Sequence, residues 1–450
     1  MSRDQLIARL TEAFSDRQLH LVGGCLRDEL LGRPSRDLDL ATDALPDEVR
    51  RRVEPWADAV WLVGEKFGTV GLEYAGVKAE ITTFRTDTYD GISRKPEVAF
   101  GSDLAADLAR RDFTINAMAR DLHTGKLADP HGGRRDLRER SIRFVGEPAA
   151  RIAEDPLRML RAVRFCAALG FELDPAAAAA IAGAADELCR ISHERIRDEL
   201  DGVLLSPHPA EGLRLMLSLG LARHALPELL NLHLPEPTRH HMKDLLDHTL
   251  DTVAHVPARL ALRYAALLHD IAKPETLSED EGGVHFYRHE VIGAERAREV
   301  LRRLRQPESL VEETVLLIRH HLRIPYYRPE WSPSAVRRLM YDLGDRLEDA
   351  IALADADVRA SEPSDYPDFA RRLEELRRRA AEIGEAGDLA RMRPLLNGEE
   401  VMALLGIAPG PRVGEALRFL LEEQIEGRVS TPEEAREALR RRFRPGAAEG

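Results

Sequence analysis

Strand signals in this chain stop at about residue 140. Up to that point Leu19–Val22, Leu38–Ala41, Val60–Val63, Thr69–Tyr74 and Val77–Phe84 are short, β-branched or alternating, and bounded by Gly, Pro and Asp. From about residue 150 apolar residues recur at helical spacing almost without interruption, as in Leu157, Leu160 and Val163 or Ile196, Leu200, Val203 and Leu204. This one-sided distribution predicts an α+β chain, a small mixed α/β head followed by a long all-α remainder. Ser206–Pro209, Leu232–Pro237, Ser278–Gly283, Ser361–Pro367 and Pro409–Pro411 are candidate linkers. Aromatic residues make up only 5%, which argues against an all-β sandwich or barrel. The 450 residues leave room for two to four domains of roughly 100–200 residues each.

The formal net charge of −13 argues against an indiscriminate binder of polyanions but does not describe local surfaces. Residues 134–164 carry nine Arg against five acidic side chains, a local excess of +4 suited to phosphates and an RNA backbone. Three cysteines, Cys25, Cys166 and Cys189, with no Cys-x-x-Cys pair, fit neither a disulfide scaffold nor a Cys-type zinc site. The first ten residues place charges where a signal peptide needs its apolar core. The run Ala176–Ala185 is too short and too rich in alanine to span a bilayer. A cytoplasmic protein with no membrane partner is expected.

In the head, Leu19–Thr42 joins a strand to a helix through Gly23-Gly24. Two glycines at such a turn let backbone N–H groups approach a phosphate, and the helix N-terminus adds a positive dipole end. An ordinary tight turn is the alternative. Asp37 and Asp39 follow. If Arg36–Ala41 is a strand, both carboxylates point to one face and reach shared divalent cations. Two-metal phosphoryl transfer needs such hard oxygen ligands to position a hydroxyl and neutralise a triphosphate. Gly23-Gly24, Arg27, Asp37 and Asp39 all fall within 17 residues, a much narrower pattern than any one of them.

Gly23-Gly24-Cys25-Leu26-Arg27-Asp28 followed by Asp37-Leu38-Asp39 resembles the first motif of class II tRNA nucleotidyltransferases and the related bacterial poly(A) polymerases. Arg110-Arg111-Asp112-Phe113-Thr114-Ile115-Asn116-Ala117 resembles the second motif. Asp129-Pro130-His131-Gly132-Gly133 through Ile142-Arg143-Phe144-Val145-Gly146 resembles the third. Glu154-Asp155-Pro156-Leu157-Arg158-Met159-Leu160-Arg161, with Arg164-Phe165 in register, resembles the fourth. The resemblance implies that Asp37 and Asp39 hold two Mg²⁺ and that Gly24 and Arg27 hold the triphosphate. Glu80 is a candidate third carboxylate near the attacking 3′-hydroxyl. Arg111, Asp112 and Asn116 would contact phosphate and ribose, a structural Arg–Asp pair being the alternative for the first two.

Asp155, Arg158 and Arg161 lie at i, i+3 and i+6 of what reads as one helix over Glu154–Arg164, with the first two on one face. A carboxylate accepts from the exocyclic amine of cytosine or adenine, and an arginine donates to the adjacent ring acceptor. U and G place a carbonyl oxygen where C and A carry the amine, so the carboxylate repels them. The resemblance implies that this pair selects C and A without a template. Glu154 would orient Arg158, and Arg161 and Arg164 would complete the nucleotide-binding set. Ordinary helix-surface ion pairs are the alternative. The segment from Phe84 to Pro96 resembles the flexible loop of members that add the terminal A. Here it reads Asp90-Gly91-Ile92-Ser93-Arg94-Lys95-Pro96, departing from the commoner acidic–aromatic–Arg-Arg-Pro form.

Further on, adjacent His269-Asp270 with distant His and Asp residues can converge in a helical bundle, bind one or two divalent metals and activate water. The set resembles the HD phosphohydrolase superfamily, which implies His248, His269, Asp270 and Asp357 as core ligands. Asp357 fits that family's last motif better than Asp355, and His289 and His321 would complete a second metal site. A phosphohydrolase of phosphorylated RNA ends or nucleotides and a structural spacer are both compatible with these residues. Pro394–Gly398 and Gly406–Gly414 resemble the nucleotidyltransferase tail, where Arg412 and backbone N–H groups would face RNA phosphates. Arg377–Arg379 and Arg440–Arg442 are positive runs that fit RNA contact or charged helix surfaces equally well.

The expected organisation is a nucleotidyltransferase head over 1–140 and a nucleotide-selecting, RNA-binding neck over 141–230. An HD-type metal-binding body follows over 231–375, and a tRNA-binding tail over 376–450. The expected activity is template-independent addition of the 3′-terminal CCA to the tRNA acceptor end from CTP and ATP, releasing pyrophosphate. Mg²⁺ would serve the head and a second divalent metal the body. An A-adding or CC-adding enzyme and a poly(A) polymerase are rivals of the same class. An HD phosphohydrolase with a degenerate head is a rival of another class, against which the intact Asp37, Asp39, Asp155 and Arg158 speak.

Overall fold

A computed structural model describes residues 3–33, 37–63, 68–88, 97–232, 244–280, 283–361, 366–385 and 393–443. The chain forms two compact units, Met1–Pro227 and Glu228–Gly450.

The first unit is built on a seven-stranded sheet. Its strand order is Ala59–Val63, Thr69–Tyr74, Val77–Thr83, Leu38–Thr42, Leu19–Val22, Ala119–Asp121 and Leu127–Ala128. Alternation explains its sidedness: Leu38 and Leu40 are buried while Asp39 between them is not. Leu38–Thr42 runs parallel to Val77–Thr83 and sets Asp39 beside Glu80. The helix Gly23–Leu30 opens directly on the glycine pair, with Gly23 at φ +64°, a conformation that other residues rarely adopt. Strands at Arg85–Thr88 and Glu97–Phe100 form a separate two-stranded ribbon. The segment Asp90–Pro96 lies outside the described residues.

Helices follow within the same unit. Arg158–Leu169 is its most enclosed helix, burying Met159, Leu160, Ala162, Val163 and Phe165 and even Arg158. It packs against His193–Leu204 and Pro209–Ser218. A Cβ at Gly212 would lie 2.8 Å from both Ala167 Cβ and Val203 Cγ1, so glycine sets how closely these helices approach. Phe113 stacks on Phe144 at 4.9 Å and meets Phe165 edge-on at 5.3 Å, joining the loop before the sheet's edge strands to this helix.

The second unit is mainly helical. Leu260–Leu268 is buried from Ala261 to Leu268, including Arg263, whose guanidinium donates to the carbonyls of Val253 at 2.7 Å and Pro257 at 3.2 Å. Leu245–His255, Glu308–His320 and Leu347–Ser361 pack against this helix, and His289–Arg303 packs on Glu308–His320. At the C-terminal end Gly398–Leu405, Pro411–Ile425 and Pro432–Arg442 share a small core of Val401, Leu420, Ala435 and Leu439. Two of these helices start on capping boxes, Asn397 with Glu400 and Thr431 with Glu434.

Beyond residue 150 the described residues are helical as expected, apart from three short strands. Glu172-Leu173 pairs in parallel with Ser141-Ile142. Leu277–Asp280 and Gly283–Phe286 form an antiparallel hairpin where the sequence reads as a linker. The polar run Leu277-Ser278-Glu279-Asp280 carries little strand signal, and Gly283 opens the partner strand at φ +114°. Among the described residues, no helix is long and apolar enough to cross a membrane.

Candidate active site and candidate metal centre

A cavity of about 590 Å³ opens at the glycine turn of the first unit. Its wall brings together Gly24, Arg27, Asp39, Glu80, Arg111, Asp112, Asn116, Arg158 and Arg161 from residues that the sequence marks as candidates. It also contains Arg85, Arg110, Thr82 and Phe165, which the sequence reading left without a role. Six arginines face three carboxylates, so the cavity is positive although the chain is acidic.

The carboxylates sit on the sheet. Crowding in the cleft raises Asp39 above the ordinary carboxylate range, opposed by the backbone N–H of Cys25 and by the Arg111 charge. Asp37 is exposed and lies one residue before the strand, with the buried Leu38 between it and the exposed Asp39. The Cys25 thiol donates to its carbonyl oxygen at 3.3 Å. Among the described residues Asp37, Asp39 and Glu80 do not gather into a close group of three ligand atoms.

The arginines are held from behind. Arg27 donates to Asn116 Oδ1 at 3.0 Å and is gripped by both oxygens of Asp28. Arg111 donates to Asp107 at 3.1 Å and to the Asn116 carbonyl at 3.3 Å. Asp112 accepts from Arg161 at 2.9 and 2.6 Å rather than pairing with its neighbour Arg111. Burial works to raise the Asp112 carboxyl, but the Arg161 guanidinium outweighs it and holds it low. Phe165 carries Arg27, Arg161 and Arg164 around its ring, with centroid distances of 5.3, 5.6 and 4.8 Å.

The fourth motif departs from the single helix expected over Glu154–Arg164. Pro148–Glu154 ends at Glu154, Asp155 is extended at φ −150° and ψ 101°, and a new helix starts at Arg158. Pro156 is the cause, because the residue before a proline is pushed out of helical geometry. Asp155 and Arg158 therefore do not share a helix face. Asp155 binds Arg195 at 2.7 Å and does not line the cavity. Arg158 is buried and donates to Glu154 and to the Arg151 carbonyl at 2.9 Å, so Glu154 does orient it. Arg164 turns away to the buried Glu199, which also touches Arg161 at 3.5 Å. Arg195 and Glu199 carried no signal beyond helical spacing.

In the second unit, two groups of ligand atoms converge: His248, His269 and Asp357, and Asp270, His289 and His321. All but Asp357 are buried. His269, His289 and His321 each point Nδ1 at the backbone carbonyl three residues earlier, at 2.9, 2.8 and 2.7 Å. An Nδ1–H donating there leaves Nε2 with its lone pair, aimed inward. The Nε2 atoms of His248 and His269 stand 3.3 Å apart, as do those of His289 and His321. Facing lone pairs at that distance repel unless a cation lies among them. Asp270 is 1% exposed, and neither carboxylate oxygen makes a well-directed hydrogen bond, although Lys273 Nζ stands 2.6 Å away. This donor set fits a divalent metal. Without one, protons take its place: burial opposes charge on His269, but Asp270 and Asp357 push it up to about 10. His321 is pushed down to about 4 by burial and the nearby His269 charge. Asp355 bonds instead to Arg359 and Tyr366.

Of the positive runs, Arg377 and Arg378 are paired with glutamates and Arg379 donates to the carbonyls of Pro329 and Trp331. Arg440, Arg441 and Arg442 are exposed.

Three family models match along the chain: the poly A polymerase head domain over 19–143, the probable RNA and SrmB-binding site of polymerase A over 170–232, and the HD domain over 241–361. The A-adding tRNA nucleotidyltransferase of Deinococcus radiodurans is 36% identical over 439 residues, covering 94% of each chain. The CC-adding tRNA nucleotidyltransferase of Thermus thermophilus is 37% identical over 443 residues, covering 95% of this chain and 94% of that protein. The solved structure of the Bacillus stearothermophilus CCA-adding enzyme in complex with CTP aligns with a TM-score of 0.72 at 31% identity, covering 98% of both chains.

Proposed function

The chain belongs to the tRNA nucleotidyltransferase family, and we propose that it adds the 3′-terminal CCA to tRNA from CTP and ATP, releasing pyrophosphate. The observation that carries this reading is one cavity with Asp39 and Glu80 on the sheet, the glycine turn, and six arginines.

Arg27, Arg110 and Arg111 bind the triphosphate, and the backbone at Gly24 lets it approach the N-terminus of the Gly23–Leu30 helix. Asn116 and Asp112 border the same wall and suit the ribose. Asp37 and Asp39, with Glu80, would hold Mg²⁺, which when bound neutralises charge at the α-phosphate and activates the attacking hydroxyl. The arginines stabilise charge on the departing pyrophosphate, and the fixed cavity orients the tRNA hydroxyl for in-line attack. Arg158 donates to the base edge. Asp155, whose two oxygens both hold Arg195 outside the cavity, is the proposed acceptor for the amine of C or A and would have to release one of them to meet the base. Arg161 and Arg164 act through Asp112, Glu199 and Phe165 to hold that wall in place. The tail over 376–450, with Arg412 and Arg440–Arg442, is the proposed contact for RNA phosphates.

The test supplies tRNAs lacking the CCA end, ending in C and ending in CC, with CTP and ATP separately and together. Completion of CCA on all three is expected. Addition of only CC or only A would assign the chain to the kind of relative found in Thermus or Deinococcus. No incorporation on any tRNA, or A-tails on unrelated RNA, would overturn the reading.

A second reading concerns the other unit. The inward-facing imidazoles and Asp270, which has Lys273 as its ion-pair partner but no well-directed hydrogen bond, support a divalent metal centre held by His248, His269, Asp270, His289, His321 and Asp357. Its proposed activity is hydrolysis of phosphate esters on RNA ends or nucleotides. Release of phosphate from such esters, lost on chelation and restored by Mn²⁺ or Mg²⁺, tests it.

A further inference from the structure

We propose that Asp107 is a positioning residue of the triphosphate subsite, holding Arg110 and Arg111 where they meet the departing pyrophosphate. The proposal rests on the nucleotide-transfer reading above. Asp107 lies on the short helix Leu104–Ala109 and is 1% exposed. It does not line the cavity, whereas Arg110 and Arg111 both do. Its Oδ1 accepts from Arg110 Nε at 2.9 Å and Nη2 at 2.7 Å. Its Oδ2 accepts from Arg111 Nη2 at 3.1 Å. One buried carboxylate is thus shared by two guanidiniums, an oxygen to each.

The geometry defines what this sharing does. Arg111 is fastened at both ends, by Asp107 through Nη2 and by the Asn116 carbonyl through Nη1 at 3.3 Å. That Nη1 lies 3.3 Å from where a Cβ on Gly23 would stand, so the guanidinium is laid against the glycine turn. Arginines on consecutive residues repel and splay if nothing neutral or negative stands between them. Asp107 removes one unit of their charge, leaves the other for the phosphates, and fixes two long side chains before the ligand arrives. Burial works to raise its carboxyl, but the two guanidiniums prevail and hold it ionised. Fixing an arginine beforehand removes an ordering cost that the bound nucleotide would otherwise bear.

The test compares the full chain with D107N and D107E in steady-state addition of C to tRNA lacking the CCA end and of A to tRNA ending in CC, with pyrophosphate as the probe of the subsite. D107N keeps the shape and one acceptor but not the charge. KM for CTP and ATP and the inhibition constant of pyrophosphate are expected to rise together by about tenfold or more, with kcat within about threefold. KM for tRNA and the preference for C and A over U and G are expected to stay put, because Arg158 is not attached to Asp107. D107E, which keeps the charge, should recover part of the pyrophosphate affinity even if D107N folds poorly. Unchanged nucleotide and pyrophosphate constants with a lowered Tm would mean a purely structural role and overturn the proposal. A loss confined to kcat would overturn it too. A native chain that binds no pyrophosphate would overturn the nucleotide-transfer reading and this proposal with it, whereas native binding left unchanged in both variants would overturn this proposal alone.

Discussion

His20 lies in the central strand Leu19–Val22, is 6% exposed, and has neither ring nitrogen hydrogen-bonded. Burial holds its imidazole below the ordinary histidine range. The unfolded chain therefore binds a proton at a pH where the folded chain refuses it. Stability from this residue is complete above about pH 6.5 and is lost as pH falls below that value, at about 1.4 kcal/mol for each unit separating the two pKa values. His20→Leu, which keeps the apolar neighbourhood beside Phe84, should flatten this dependence. Thermal unfolding of both forms between pH 7.5 and 5.5 measures it, and parallel curves would refute the assignment. Asp39 gives a prediction of a different kind. Asp39→Asn preserves shape while removing the charge, so addition should fall by about 10²-fold or more with nucleotide binding largely retained. Equilibrium binding of CTP alongside turnover separates the two effects. Asp39 was readable from sequence because alternation in a short strand has one solution. Glu80 was readable only as one exposed position among several, and the parallel register with Asp39 is what singles it out.

Helices and strands show where sequence patterns stop being sufficient. The five strands read from short β-branched or alternating runs are present within a residue or so; Leu19–Val22, Leu38–Thr42, Thr69–Tyr74 and Val77–Thr83 carry buried residues, whereas in Ala59–Val63 Val60 and Trp61 are only half-buried and Leu62 is exposed. Ala119–Asp121 and Leu127–Ala128 were missed because strands of three and two residues carry no period. The fourth motif misled for a local reason: helical spacing counts residues through Asp155-Pro156, while the backbone cannot stay helical there. The partners of its arginines were also invisible, because Asp112 and Glu199 lie 49 and 38 residues from Arg161. Arg158→Ala should raise UTP incorporation relative to CTP by about tenfold, since a bidentate base contact is worth about 1–3 kcal/mol of discrimination. Competition between the two triphosphates reads this out, and an equal loss for both would favour the bland ion-pair role. Gly212→Ala places a methyl 2.8 Å from Ala167 and Val203 in packed helices. It should cost about 1–3 kcal/mol, read as a lowered denaturation midpoint at unchanged slope.

The net charge of −13 arises from a chain whose two sites use charge oppositely. The first unit surrounds its cavity with arginine and keeps few carboxylates free to face it. The second brings Asp270, Asp357 and four imidazoles together, an arrangement costly in free energy unless a cation or protons compensate it. An ion that binds only the folded state stabilises it by about 2.7 kcal/mol at one hundred times its dissociation constant. Mn²⁺ is therefore expected to raise the unfolding temperature of the second unit, with chelation lowering it, and Asp270→Asn should abolish that response. The same substitution should leave CCA addition intact, because the carboxylates and arginines proposed for transfer all lie in Met1–Pro227. Calorimetry with and without Mn²⁺, beside an addition assay on one preparation, checks both halves. A metal response that survives Asp270→Asn would move the ion elsewhere, and an addition rate that falls with the metal response would mean the two chemistries are not separable.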